Sequence, residues 1–414
     1  MNTSKFIFIT ISVLFFLIST GYSQERVIDF KQLHDKNGLA YEINQKKPFT
    51  GKVIEKHDNG KIREETFYKN GKKEGESTEY HYNGQISFKS FYKNGRPEGH
   101  FTDYHRDGKI RGEGFYKDGR REGKYICYYN DGKISNKEFY KDGKQEGESI
   151  RYYNDEKISS KSFYKNGRPE GHFTDYHRDG EIRGKGFFKH GKQEGEYIGY
   201  HQNGKISSKS FYKDGKRNGD YTDYYNDGKI RGKGFFKHGK QEGEYIHYYN
   251  EGQIREERFY KNGKQKGEST GYYNDGEISF KSFYKNGEQN GKFIQYSRDG
   301  KIRYKSFYKN GKLNGEYLSY YNDGKISNKQ FYKDGRLEVE YTYRKNGKIR
   351  SKSFFYKDKK QECQFTDYHN NGKICGEGFR KNGRKEGEFI VYYEDGKIKS
   401  KLFYKDGKPV KKNW

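Results

Sequence analysis

The chain is short of cysteine, proline, methionine, tryptophan and aliphatic side chains, and each shortage removes a class of protein. Its three cysteines, Cys127, Cys363 and Cys375, are an odd number and widely scattered, so they form no disulfide framework. None recurs with a fixed partner, so they read as incidental rather than as metal ligands. Hydrophobic residues make up 29% of the 414 and charged residues 35%, too lean a mixture to build one thick core of domain size. The apolar run Phe6 to Ile18 falls short of the roughly 20 residues that cross a bilayer. Acidic residues are outnumbered 58 to 85, leaving a net charge of +27. Low hydrophobicity with such a charge would suit a disordered chain. Against disorder stand 43 Tyr and 31 Phe, because they are placed at fixed intervals.

The interval is 24 residues. The stretch Phe67 to Ser90, FYKNGKKEGESTEYHYNGQISFKS, is rewritten with small changes to the end of the chain, and its Phe recurs without a missed beat as far as Phe403. Counting that Phe as slot 1, the consensus is F-Y-K-[ND]-G-[KR]-x-E-G-E-[YF]-x-x-Y-[YH]-x-[DN]-G-K-I-[RS]-x-K-x. Self-similarity at a fixed period is the signature of a repeat architecture. Near-identical blocks, such as RPEGHFTDYHRDG at Arg96 to Gly108 and again at Arg168 to Gly180, point to duplication of several units at once.

Residues 1–23 read as a signal peptide: Lys5 gives a positive start, Phe6 to Ile18 an apolar centre, and Gly21-Tyr22-Ser23 small residues at both positions that a signal peptidase inspects. The expected consequence is export, with cleavage after Ser23, to the periplasm, cell surface or medium. Residues 24–47 depart from the consensus and are expected to cap the array. The repeats occupy 48–407, and 408–414, with Pro409, lysines and Trp414, suit a second cap that blunts the last strand edge.

Each unit carries two turn signals. Slots 17 and 18 are Asn-Gly or Asp-Gly in nearly every copy, which predicts a type I′ hairpin turn. A second Asn/Asp-Gly at slots 4 and 5, followed by Gly at slot 9, predicts a longer loop or a turn with a bulge. The expected fold is all-β, an elongated single-layer ribbon of antiparallel hairpins with about fifteen units. At a strand spacing of about 4.8 Å the ribbon would run on the order of 140 Å. Pairing across slots 17 and 18 would place Ile86, His81, Ser77 and Tyr92 on one face, with Tyr92 covering Gly75. Phe91, Tyr80, Ser87 and Lys89 would share the other. Between Val339 and Phe355 one residue is lost and one regained, Val339 and Cys363 replace the slot-9 glycine, and poor pairing or a kink is expected.

The core Y-K-[ND]-G-K-x-E-G-E-[YF], read in Tyr68 to Ser77 and in Tyr308 to Tyr317 with one or two changes each, resembles the MORN repeat in its bacterial variant form. The resemblance covers about Pro48 onward and implies hairpin repeats of this length. Bacterial chains of this kind are often labelled antitoxins, and eukaryotic ones are associated with membrane junctions, lipid binding and scaffolding. This chain lacks the Trp and second clustered Gly of the eukaryotic type, so those functions transfer poorly.

Catalysis needs unlike groups converging once in a pocket, whereas here nearly every polar residue is repeated along a ribbon. No enzyme, cofactor or metal site is expected. The recurring carboxylates Glu74 and Glu76 read as balancing nearby lysines. His81, His105, His177, His201 and His369 stand where other copies have Tyr and read as ring-for-ring replacements. Lysines at slots 3, 6, 19 and 23 lay positive charge beside aromatic rows, a field suited to anionic lipid or acidic polysaccharide, with a membrane surface as one alternative. Export makes nucleic acid the least suited polyanion. The expected function is an exported, non-enzymatic scaffold presenting near-identical sites in series to a protein, glycan or anionic lipid partner. The alternative is an antitoxin or immunity protein that neutralises a cognate toxin by direct binding. The candidate contact residues are Tyr104, Tyr128, Tyr152, Tyr176, Tyr200 and Tyr224 with Arg111, Arg183 and Arg231, as stacked rings beside cations.

Overall fold

Two kinds of turn, alternating along the chain, build the structure. A computed structural model describes residues 26–356 and 362–410, so the expected signal peptide and Trp414 lie outside the described residues. The described chain is all-β apart from one 3₁₀ turn, Phe30–Gln32, and its hairpins join in sequence order into open antiparallel sheet. It falls into two compact units, one reaching Ile158 and including Tyr164–Gly167, the other formed by Ser159–Phe163 and the chain from Arg168.

The turns exchange the roles that the sequence suggested. The two-residue I′ turn lies at slots 4 and 5: Asn70 and Gly71 both have positive φ, 51° and 79°, and Lys69 pairs directly with Lys72. At slots 17 and 18 only the glycine is left-handed, and the loop is a type I turn closed by a bulge. There Gly84 N–H donates to His81 O at 2.8 Å, and His81 N–H to Gln85 O at 2.7 Å. The Asn83 side chain accepts from Gln85 N–H, so this Asn serves its own loop rather than a left-handed backbone.

This loop shifts the register. From Glu79–Phe88 to Gly75–Tyr92 the pairing is the expected one, but nearer the loop Tyr80 lies opposite Ile86, leaving Ser87 as the extra residue. Ile86 therefore joins Tyr80 instead of Ser77 and Tyr92. Gly75 and Tyr92 pair as expected, and a Cβ on Gly75 would meet nothing within 4 Å. What requires glycine there is a φ of +82° at the head of a second bulge.

The packed face is made by slots 2, 11, 22 and 24. In the first unit Phe101, 2% exposed, packs on Tyr116 and Tyr125 with ring centroids 4.5 and 5.8 Å apart. In the second, Phe173 meets Phe188 at 4.7 Å and Tyr221 meets Tyr245 at 6.4 Å. Slot 24 yields room to these rings. A Cβ on Gly234 would lie 2.4 Å from the Tyr245 ring. Where slot 11 shrinks to Ser269, Glu256 and Arg258 fill the space and the serine donates to Glu256 at 3.1 Å. Within the expected cap, Val27–Asp29 adds a parallel strand to Gly51–Lys56, and Ile28, Phe49 and Val53 form a small buried cluster.

The stretch expected to pair poorly pairs without interruption. Arg336–Tyr343 is matched to Ile349–Phe355 from Val339–Phe354 to Thr342–Ser351, and Phe355 continues opposite Cys363. The missing residue is taken from the bulge: Phe331 faces Val339 and Tyr332 faces Leu337, leaving only Glu338 extra. With the bulge reduced, left-handed φ is no longer needed, and a β-branched residue can stand in the glycine slot.

Candidate binding face

The face opposite the packed one carries slots 1, 10, 12, 14 and 23. Phe91 lies opposite Glu76, Lys89 opposite Thr78 and Tyr80 opposite Ile86, and the pattern repeats in later hairpins. The invariant phenylalanine is not a core residue. In the second unit Phe211, Phe235, Phe259, Phe283 and Phe307 are 41–48% exposed, each on the side turned away from the aromatic packing.

The six candidate tyrosines occupy this face at slot 14 and are half-buried. Slot 23 holds Tyr128, Tyr152 and Tyr200, and Tyr248 in the same row. Tyr128 donates to Glu113 at 2.5 Å, and burial together with that carboxylate pushes its pKa up to about 12. Lys137 lies 5.2 Å over the Tyr152 ring, Lys185 5.6 Å over Tyr200 and Lys233 5.6 Å over Tyr248. The carbonyls of Tyr104 and Tyr224 accept contacts from His81 and His201 of the preceding hairpins. Tyr176 holds the equivalent slot.

The arginines are not beside these rings. Arg111 Nε donates to Asp103 at 2.8 Å, Arg231 Nε to Asp223 at 2.6 Å, and Arg183 lies 3.7 Å from Asp175. These aspartates are at slot 13, one residue before each Tyr, and so point to the opposite face. The cause is the register shift, which makes slot 21 the extra residue and sends its side chain to the packed side. The cations that do neighbour the rings are the slot-23 lysines; the period-two reading places Lys89 on this face with Tyr80, but by pairing slot 21 with slot 14 it takes the arginines as the contact cations.

The slot-15 rings act as hydrogen-bond donors. Tyr225 and Tyr249 hydroxyls donate at 2.7 Å to the carbonyls of Tyr248 and Tyr272, and His201 Nε2 lies 3.0 Å from the Tyr224 carbonyl. His and Tyr are interchangeable here because both reach the next hairpin with one N–H or O–H. The two carboxylates have different partners. Glu242 accepts from Asn262 N–H at 2.7 Å and so caps the I′ turn of the following hairpin, whereas Glu316, in the slot of Glu76, meets Lys329 at 2.5 Å.

The model of the MORN repeat variant family matches thirteen segments of the chain, at 24-residue intervals from 49–70 to 313–334 and again at 385–406. It skips the region where Val339 and Cys363 displace glycine. No curated protein matches in sequence. Among solved structures, a crystal structure of TcdB2-TccC3-Cdc42 is 11% identical over 83% of this chain and 25% of that one, with a TM-score of 0.14. A Photorhabdus luminescens Tc holotoxin pore carrying TccC3-D651A is 10% identical over 85% and 26%, with a TM-score of 0.13. The chain thus spans about a quarter of these structures' chains.

Proposed function

The chain belongs to the MORN repeat variant family, and from that premise we propose that it is an exported, non-enzymatic binding protein whose repeated outer face engages a partner at many equivalent places. The observation that supports this reading is the exposed phenylalanine of slot 1, beside the Tyr–Lys pairs of slots 14 and 23. A ring that contributes nothing to the packed face, yet recurs in every unit, is better matched to contact with a partner than to folding. Tethered weak contacts raise the effective concentration of the next, so a series of modest sites binds firmly. The partner would be a protein, glycan or anionic lipid surface that accepts aromatic rings flanked by cations.

The test is affinity capture from the native host's envelope and medium, with wild-type protein compared with F211S/F235S/F259S. The reading expects a partner retained by the wild type and lost from the folded triple variant. Equal capture by both would overturn the assignment of this face.

A further inference from the structure

The I′ turns form a different surface. Slots 3 and 6 flank each one, and they face each other across the strands. In the second unit Lys189 is paired with Lys192, Lys213 with Lys216, Lys237 with Lys240, and the pattern returns with Lys261–Lys264, Lys309–Lys312 and Lys333–Arg336. Like charges directly opposite one another in a sheet are destabilising. Over the described residues these two slots hold 27 basic residues and a single acidic one, Glu288, so they account for nearly all of the chain's positive excess.

The other lysine rows have counterparts built into the fold. Slot 19 lysines are met by the loops: Lys205 donates to Asp227 O of the next loop at 2.8 Å, and Lys301 meets Asp299 of its own loop at 3.1 Å. Slot 23 lysines pair with a slot-10 glutamate, as Lys281 does with Glu268 at 3.0 Å, or lie over a tyrosine. Among the cations paired across the I′ turns, only Lys192, Arg336 and Lys381 meet a carboxylate within the described residues. The slot-8 carboxylates are occupied with backbone N–H groups of the turns.

The row is also ordered. A Cβ on Gly239 would lie 3.7 Å from the Lys216 Cβ, and one on Gly263 only 3.4 Å from that of Lys240. The stems of Lys192, Lys216, Lys240, Lys264 and Lys312 therefore lie along the glycine of the next turn, which fixes their bases and leaves the ammoniums outward. Successive pairs recur every second strand, roughly 10 Å apart.

We infer that this edge of the second unit binds a linear acidic polysaccharide, its carboxylates or sulfates spaced along one chain so that successive sugars meet successive lysine pairs. The inference rests on the reading of the protein as a serial binder but uses a different surface. A single flexible polymer can follow the row along any path, whereas a bilayer engages only those cations that lie in one plane. Nucleic acid would bring bases, and slots 3 to 6 of these turns offer them no ring to stack on beyond the imidazoles of His190 and His238.

The experiment uses the full chain and size-graded oligogalacturonates, with phosphatidylglycerol vesicles and poly(dT) as competitors. Affinity should rise with oligomer length and fall steeply with salt. Replacing Lys213, Lys216, Lys237, Lys240, Lys261 and Lys264 by Gln should weaken binding at least tenfold without unfolding the protein, because it relieves repulsion. K205Q/K229Q/K301Q/K325Q/K373Q/K397Q, which removes the same six charges from slot 19, should leave it within twofold. Equal losses from both sets would mean net charge alone and would overturn the inference, as would affinity independent of length or tighter binding of either competitor. Capture of a partner by the outer face is unaffected by the edge substitutions if only this inference fails.

Discussion

A left-handed backbone position admits glycine freely, Asn, Asp and His at some cost, and other residues at more. Every I′ turn described obeys this, including His190 and His238 at φ of 52° and 51°. Glu156 does not: it occupies the slot-18 glycine position with φ of 66°. Glu156→Gly should therefore stabilise the protein by about 0.5–1 kcal/mol, the left-handed strain relieved less the extra chain entropy of glycine; an unchanged or lower melting temperature would refute this. At slot 15 the useful property is one donor reaching the next hairpin. His201→Ala should cost about 1 kcal/mol while His201→Tyr keeps the donor and stays close to wild type in denaturant midpoint. Tyr128 gives a pH signature. Its folded pKa of about 12 lies above the ordinary 10, because burial and Glu113 favour the neutral hydroxyl. The stability it contributes is complete below pH 10 and is lost as pH rises through about 12. In a spectrophotometric titration, Glu113→Gln should move one tyrosine toward the ordinary value and leave the others in place.

Hairpins are where sequence and structure part. The period, the two strands per unit and the central pairing from Glu79–Phe88 to Gly75–Tyr92 were legible from the spacing of aromatics and Asn/Asp-Gly pairs. The assignment of turn types was not, because both turns present the same dipeptide. The distinction lies in what satisfies the backbone: at slot 17 the side chain accepts from its own loop, while at slot 4 the N–H is met by a carboxylate from the preceding hairpin. That cross-hairpin bond is invisible to a reading within one unit. The misassigned loop then moved the register by one residue, which is why the tyrosines of the candidate face were placed correctly and Arg111, Arg183 and Arg231 were not. The cap makes a prediction at this scale. Removing the Glu242 side chain (Glu242→Ala) leaves Asn262 N–H without its charged acceptor and should cost about 1.5–3 kcal/mol locally. Hydrogen exchange at the Asn262 amide should accelerate while amides two hairpins away keep their protection. Uniform loss of protection would show that the turn is not capped independently.

For the whole molecule, what matters is that each hairpin's partners lie in the hairpins before and after it: the slot-15 donor, the slot-8 cap and the slot-6 stem all reach forward by one unit. Such nearest-neighbour coupling makes stability a sum of local terms, so repeat number should be adjustable so long as the period is kept. Deleting residues 211–234 joins Ser210 to Phe235 and presents every forward contact with an equivalent acceptor: His201 would meet the Tyr248 carbonyl in place of that of Tyr224, and Glu194 the His238 N–H in place of that of Asp214. Deleting residues 211–222, half a unit, removes one strand: neighbouring strands stay antiparallel, but every later strand is reversed in direction, so I′ turns fall on the edge where three-residue loops lay and the forward contacts of the preceding unit lose their acceptors. The 24-residue deletion should give the wild-type far-UV spectrum per residue and a melting temperature within a few degrees, and the 12-residue deletion a protease-sensitive chain. If both deletions were equally damaging, the hairpins would depend on contacts beyond their neighbours. If serial binding at the outer face is correct, the 24-residue deletion should also weaken capture of the partner gradually rather than abolish it, since one of several equivalent sites has been removed and none is unique.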